Sequence, residues 1–268
     1  MVMRTISVAL LTCVCMCAQA NTTVWVYNKS RNEVLESTNA DAHRPIASIT
    51  KLMTAMIVLE SKAAMSDKMS LTKRLAGHLP RQLYSRQDLM SAMLVRSDNA
   101  AAETLAENYP GGRNEFITAM NARARSLGMK ETEFDDVSGL SANNVSTAKD
   151  VSIMLLAATQ YDFVRRSSIK KQVMLDAHQG KKNRAIELTN TNRVLLDELD
   201  NVVVSKTGFT NPAGWCIGMV VENKLEKFVI VVLGSPSKIE RLQTVRQILN
   251  NHLPVHDWHL VEFGIEYR

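Results

Sequence analysis

"NVVVSKTGFTNPAGWCIGMVVENKLEKFVIVVLGS" (residues 201–235) contains three β-forming runs, "NVVVSKTGFT", "GWCIGMVVE" and "KFVIVVLGS". Branched and aromatic side chains suit a pleated, buried surface, so each run predicts a strand, with a turn at Asn223-Lys224 joining the last two. Near the other end of the chain, "TTVWVYNKSRNEVLEST" (22–38) reads as a hairpin in which Val24, Val26 and Val34 flank a polar turn at Asn28–Asn32. Between these ends, from Arg86 to about Arg166, "RQDLMSAML", "NAAAETLAENY", "NEFITAMNARARSLGM" and "TAKDVSIMLLAATQYDFVRR" repeat apolar residues at the helical period. Thr147 with Asp150 resembles a capping box for the last of these helices. A polar stretch (167–193) precedes the C-terminal strands, and "KIERLQTVRQILNNH" adds a final helix. Strands from both ends with helices between them predict an α+β fold. One antiparallel sheet would be built from both termini, with an inserted helical lobe at about 86–166. No repeat, low-complexity tract or linker divides residues 21–268, which read as one domain, and a cleft between sheet and lobe is the expected place for a site.

The opening "MVMRTISVALLTCVCMCAQA" (1–20) carries one charge, Arg4, then an apolar run and Ala18-Gln19-Ala20. That is the layout of a secretory signal cleaved after Ala20, and the run is too short to span a membrane. Cys13, Cys15 and Cys17 fall inside it without a well-formed Leu-small-small-Cys lipidation box. Beyond the signal only Cys216 remains, so no intramolecular disulfide is expected and the core must carry the stability. The formal charge of +5, or +4 without Arg4, suits contact with an anionic polymer. No arginine-rich patch points to nucleic acid, and no other segment approaches the roughly 18 apolar residues of a membrane helix.

Three short stretches carry the chemistry. "RPIASITKLMTAMIVLE" (44–60) places Ser48 and Lys51 in an otherwise apolar helix. Three residues of helix turn through about 300°, so both lie on nearly one face, and a buried lysine is costly unless it is used. The bland alternative is that Ser48 starts the helix and Lys51 snorkels to water. "VRSDNAAAE" (95–103) offers Ser97-Asp98-Asn99, which alone would be an ordinary N-cap. "VVVSKTGFTNPAG" (202–214) offers Lys206-Thr207-Gly208, which alone would be a strand yielding to a turn. In this order, Ser-x-x-Lys, Ser-x-Asn and Lys-Thr-Gly form the motif set of serine penicillin-recognising enzymes.

Ser48 is a poor nucleophile until a base takes its proton, and Lys51 can act only when neutral. Its pKa must therefore fall, through desolvation and through a nearby cation, for which Lys206 is the obvious choice. Ser97 would bridge these groups and deliver a proton to the departing amine. Asn99, donor and acceptor in one side chain, would orient the substrate amide and Lys51. Lys206 and Thr207 would hold a carboxylate or the carbonyl region beside it. Gly208 would keep the strand clear of the substrate.

"RPIASITKLMTAM", "YPGG…FITAMNARARSLGM", "NVSTAKD" and "KTGFTNPAG" also resemble the low-molecular-mass D-alanyl-D-alanine endopeptidases of the penicillin-binding protein 7 type, in peptidase family S11. The similarity covers most of residues 24–250. One departure is Val137-Ser138-Gly139-Leu140, where the family has Pro-Thr-Gly-Leu. The resemblance implies the β-lactamase/penicillin-binding transpeptidase-like fold and a periplasmic enzyme needing no cofactor or metal. It implies peptidoglycan stem peptides as substrate, cut at D-Ala–diaminopimelate crosslinks through an acyl-Ser48 intermediate, and β-lactams as covalent inhibitors. Its catalytic residues would be Ser48, Lys51, Ser97 and Asn99, with substrate held by Lys206, Thr207, Gly208 and Phe209. The backbone N–H groups of Ser48 and Phe209 would form the oxyanion hole.

Rival readings have weaker support. No Gly-x-Ser-x-Gly elbow accompanies a histidine triad, and His43 and His78 stand in polar surroundings. Zinc D,D-peptidases place an aspartate seven residues after a histidine. Positions 50, 85 and 185, after His43, His78 and His178, are Thr, Ser and Ala. "HLPVHDWHL", with His252, His256, Asp257 and His259, reads as a solvated tail. A class A β-lactamase needs Glu-x-x-Leu-Asn, whereas the nearest echo is Glu131-Thr132-Glu133-Phe134-Asp135. A silent penicillin-binding receptor would not need Lys51, Ser97 and Asn99 together. A D-Ala-D-Ala carboxypeptidase remains the alternative activity. Better-known members of that group add a β domain and a basic amphipathic helix, and "HLPVHDWHLVEFGIEYR" lacks such a basic face, so no stable membrane insertion is expected.

Overall fold

Both ends of the chain contribute to one antiparallel sheet in the computed structural model, which describes residues 22–72, 74–75, 77–179 and 182–253. The expected signal (1–20) and the tail residues His256, Asp257 and His259 lie outside the described residues. The first half of the chain runs β1 (Thr23–Asn28), β2 (Glu33–Thr38), β3 (Arg44–Pro45), α1 (Lys51–Glu60), β4 (Lys68–Ser70), β5 (Leu83–Ser85), α2 (Arg86–Val95), α3 (Asn99–Glu107) and α4 (Gly112–Ser126). The second runs β6 (Val145–Ser146), α5 (Ala148–Ala158), α6 (Asp162–Ser168), β7 (Gln172–Gln179), β8 (Lys182–Thr189), α7 (Arg193–Glu198), β9 (Val202–Thr210), β10 (Gly214–Glu222), β11 (Lys227–Ser235) and α8 (Lys238–His252).

The main sheet has the order β2-β1-β11-β10-β9, with every neighbouring pair antiparallel. Successive side chains of a strand point to opposite faces. In β11, Val229, Val231 and Leu233 enter the core shared with the helical lobe, while Phe228, Ile230 and Val232 pack with Val245, Ile248 and Leu249 of α8. Because both faces are covered, "FVIVVL" (228–233) is continuously apolar rather than alternating. Helix α5 lies close on the lobe side, where a Cβ on Gly218 would sit 2.9 Å from Leu155 Cδ1.

Helix α1 is the central rod of the lobe and contacts α2, α3, α4 and α5. Residues 51–58 are all buried, as expected of a helix that is apolar nearly all round. Burial of each of Leu52, Met53, Met56 and Ile57 stabilises by about 1.5–3 kcal/mol. A short 3₁₀ turn, Ala47–Thr50, leads into α1 and lies against β9.

Three local expectations change. The polar stretch 167–193 contains the hairpin β7–β8, in register from Gln172↔Thr189 to Gln179↔Lys182. With β4 and β5 it forms a second sheet, β4-β5-β7-β8. Leu175 and Leu188 are buried while Met174, Asp176 and Glu187 are exposed, so too few apolar positions are demanded to make a readable period. The periodic run 148–166 splits into α5 and α6, since Thr159 Oγ1 donates to Leu156 O and helps end α5. Only half of the capping box at Thr147 forms. Thr147 Oγ1 accepts from Asp150 N at 3.2 Å, but the Asp150 carboxylate accepts instead from Glu131 N and Thr132 Oγ1, both at 2.8 Å.

Candidate active site

Ser48 sits in the 3₁₀ turn ahead of α1, with its backbone held between two glycines. Ala47 adopts φ +45°, unusual for a residue with a Cβ. Gly139 (φ +81°) presses so closely that a Cβ there would lie 1.9 Å from Ala47 O. On the other side, a Cβ on Gly208 of β9 would lie 2.9 Å from Ser48 N and 3.1 Å from Ile46 O. Gly208 was expected to keep space for substrate, but its closest constraint is the backbone of the nucleophile turn itself. β9 is the edge of its sheet, so its outer side is open to the turn and to anything bound beside it.

Lys51 does not snorkel. It is fully buried, and its Nζ donates to Ser48 Oγ at 2.8 Å, Asn99 Oδ1 at 2.7 Å and Ser138 O at 2.6 Å. Burial pushes its ammonium down to about 7, against the Asp136, Asp98 and Glu103 carboxylates, which favour the charged form. Its place at the first residue of α1, by the positive end of the helix dipole, works in the same direction as burial. A neutral amine keeps two N–H donors and one lone pair. Asn99 Oδ1 and Ser138 O can only accept, so the lone pair is left for Ser48 Oγ, the one neighbour with a proton to give.

Lys206 lies on β9, also buried, and its Nζ donates to Ser97 Oγ at 2.9 Å and Thr207 O at 3.0 Å. Burial first, then the charges of Lys51 and Arg241, hold its ammonium well below the ordinary lysine range. Of the two causes the sequence reading invoked at Lys51, burial and a second cation, burial is the leading one. Ser97 pairs with Lys206, one of the groups it was expected to bridge, and Asn99 meets Lys51 as the sequence reading expected. Ser97 itself adopts φ +63°. The next residue, Asp98, is the N-cap of α3 and accepts from Ala101 N at 2.7 Å, as well as from the backbone N–H groups of His78 and Leu79. Thr207 Oγ1 is 2.7 Å from Thr191 Oγ1.

These groups open on a cleft of about 380 Å³ whose lining includes Ser48, Ser97, Thr207, Gly208, Phe209 and Arg241. Phe209 is 46% exposed and stacks on Trp215, ring centroids 4.3 Å apart. Arg241 was missed by the sequence reading. It is 2% exposed, donates from Nη1 to Cys216 O at 3.4 Å, lies 5.9 Å from the Trp215 ring centre, and leaves Nε without a partner. Burial lowers its guanidinium to about 10, so it stays charged at neutral pH, and no carboxylate pairs with it among the described residues. A signal existed: Arg241 occupies the buried stripe of α8 with Val245, Ile248 and Leu249, where an apolar residue belongs.

The loop over Lys51 was also missed as a device. Asp136 accepts from Ser138 N at 2.8 Å and Ser141 N at 2.7 Å. Asn144 accepts from the N–H groups of Asp135 and Asp136 and donates to Thr50 Oγ1 at 3.1 Å. This lattice aims the Ser138 carbonyl at Lys51. The β-lactamase-like stretch lies elsewhere: Glu131 pairs with His43 at 2.8 Å, both more than half exposed, and Glu133 bridges to Val145. His78 is exposed at the cleft rim, and His252 meets Glu36 at 2.7 Å.

The family profile described as D-alanyl-D-alanine carboxypeptidase, peptidase S11, matches residues 16–237. The chain belongs to the S11 peptidase family. Within it, the chain is 39% identical over 222 residues to a D-alanyl-D-alanine endopeptidase of Pseudomonas aeruginosa, covering 80% of this chain and 71% of that one. It is 28% identical to the D-alanyl-D-alanine carboxypeptidase DacF of Bacillus subtilis, over 87% of this chain and 60% of the other. Penicillin-binding protein D2 of Listeria monocytogenes, solved in its ampicillin-bound form, superposes with a TM-score of 0.77 at 31% identity, covering 86% of this chain and 96% of that one. The α+β architecture with its antiparallel sheet is shared with this penicillin-binding protein.

Proposed function

We propose that this S11 peptidase is a serine D,D-endopeptidase that opens D-Ala–diaminopimelate crosslinks of peptidoglycan through an acyl-Ser48 intermediate. The observation that carries the reading is Lys51: buried, lowered to about 7, and 2.8 Å from Ser48 Oγ. Neutral Lys51 takes the Ser48 proton as Oγ attacks the D-Ala carbonyl. The oxyanion is received by the backbone N–H groups of Ser48 and Phe209, a donor pair whose members are each worth about 2.7–4 kcal/mol in such sites. The Ser97 hydroxyl, held by Lys206, passes its proton to the departing amine as the C–N bond breaks and is reprotonated at the expense of the Lys51 ammonium, which becomes neutral again. Water then attacks the acyl-Ser48 ester: Lys51 takes one water proton as the C–O bond to the acyl carbon forms, and hands it to Ser48 Oγ as the ester bond breaks. Asn99 orients Lys51 and the substrate amide. Thr207, Lys206 and Arg241 hold the carboxylate next to the departing amine, which accounts for a buried guanidinium with no carboxylate partner among the described residues.

Residues 1–20 act as a cleaved leader delivering residues 21–268 to the periplasm as a single catalytic unit. Penicillins acylate the same serine. The runner-up, removal of terminal D-Ala from uncrosslinked pentapeptide, uses the same groups and is favoured by the family description. The greater identity to an endopeptidase than to a carboxypeptidase favours the crosslink. The test offers purified enzyme both a crosslinked muropeptide dimer and an uncrosslinked pentapeptide and separates the products by mass. Conversion of dimer to monomers with little free D-Ala is expected. Dominant D-Ala release with surviving dimer overturns the endopeptidase reading while leaving the acyl-serine chemistry standing.

A further inference from the structure

The cleft carries more positive charge than one carboxylate requires. Besides Arg241 its lining includes Arg96 and Lys238, and no aspartate or glutamate lines it among the described residues. Arg96 directly precedes Ser97 at the end of α2, half-buried. Lys238 is exposed at the first residue of α8, one turn before Arg241 and so on nearly the same face. Neither enters an ion pair with a carboxylate among the described residues, whereas Arg113 pairs with Glu103 and Arg123 with Glu60. A lysine at a helix N-terminus stands where a carboxylate would be favoured, so the helix gives no reason for Lys238. Cations gathered in a concave, carboxylate-free wall focus their field on whatever enters.

A departing free D-Ala brings one carboxylate, which Arg241 can meet alone. A departing crosslinked stem brings more, because its diaminopimelate keeps a carboxylate beside the scissile amide and its peptide carries further ones. We infer that Arg96 and Lys238 form an anionic-peptide subsite on the leaving-group side of Arg241, which selects crosslinks whose departing stem carries additional free carboxylates. This inference rests on the endopeptidase reading.

The test compares Arg96→Gln, Lys238→Gln and Arg96→Lys with wild type on three substrates. These are a free-acid dimer, the same dimer amidated on its departing stem, and uncrosslinked pentapeptide. Each Gln variant should lower kcat/KM on the free-acid dimer by roughly threefold to tenfold, mostly through KM, with a shallower salt dependence, as rim charges do. The loss on pentapeptide should be at least threefold smaller, and Arg96→Lys should recover most of the rate. Wild type should lose a similar factor on amidated dimer, with no further loss in the Gln variants. Melting temperature checks Arg96→Gln for folding, and Lys238→Gln, at an exposed position, provides the independent arm. Undiminished dimer cleavage in both Gln variants, or equal losses on all three substrates, overturns the subsite alone. Wild type that spares every dimer yet releases D-Ala overturns the endopeptidase reading together with the subsite.

Discussion

Lys51 and Lys206 are both buried lysines near Ser48, yet their surroundings set them to different work. Lys51 stands at the head of a helix inside the lobe, all three of its hydrogen-bonding directions committed and three carboxylates within electrostatic reach. Lys206 stands on an edge strand, with two partners, two cationic neighbours and the cleft beside it. In the mechanism we propose, the first arrangement suits a base: burial lowers the pKa while the carboxylates keep it from falling further. The second suits an anchor for something negative that arrives from outside. Burial alone does not distinguish these roles; the charges around each lysine do.

The most severe break is at Lys51. Lys51→Arg keeps the charge but removes any chance of a neutral base, since guanidinium does not deprotonate in proteins. Acylation by penicillin, followed by intact mass over time, should slow by about 10²–10⁴-fold, and Ser48→Ala should give no adduct. Near-normal acylation of the arginine variant would make Lys51 structural.

Next comes Lys206→Ala, which should cost roughly 10²-fold in the same assay through lost anchoring and a loosened Ser97. In wild type, acylation should rise with pH through about 7 as Lys51 loses its proton. That limb should rise by less than a pH unit in Lys206→Ala, because burial is the first cause at Lys51 and the mutual repulsion of the two lysines is a lesser one. An upward move of a full pH unit or more would mean that repulsion by Lys206, not burial, sets Lys51, and the contrast drawn between them fails.

Asp136→Asn sharpens the contrast from the carboxylate side. Asp136 raises the Lys51 pKa, so neutralising it should move the acid limb to lower pH. The loop should also lose stability on the order of 1–3 kcal/mol, since an amide nitrogen cannot accept from the Ser141 N–H. A limb displaced upward would contradict the sign. The smallest effect belongs to the Lys206 side. Phe209→Ala removes a ring stacked on Trp215 and should lower stability by about 0.5–1.5 kcal/mol in denaturant melts, leaving the pH limb of Lys51 unmoved.

Much of this was legible before any coordinates. Ser48 and Lys51 are three residues apart, and Ser97 and Asn99 two, because one helical turn or one helix start is enough to present them. The continuous apolar run in β11 and the matching hairpin near the N-terminus disclosed a sheet made from both ends. Other features left no such trace. The hairpin β7–β8 buries only Leu175 and Leu188 among its described side chains, with Val173 and Ile186 partly covered, too few positions to stand out as a strand period. Arg241 looked like one more cation in a charged helix until its stripe partners were known. Asp136 and Asn144 stand in no local pattern that says they aim a carbonyl at a lysine.

The chain's own sequence determined which groups are present and which elements they ride on, since helix turns, strand alternation and caps depend on neighbours a few residues apart. Tertiary structure alone decided which group serves which. Lys51 meets Ser138 across 87 residues and Lys206 meets Ser97 across 109, contacts that no local period encodes. Gly139 and Gly208, from two other parts of the chain, close on the same backbone turn, and that closure holds Ser48 beside the buried Lys51. The pKa of a lysine follows the solvent it loses and the charges it gains on folding, and both are set by segments distant in sequence.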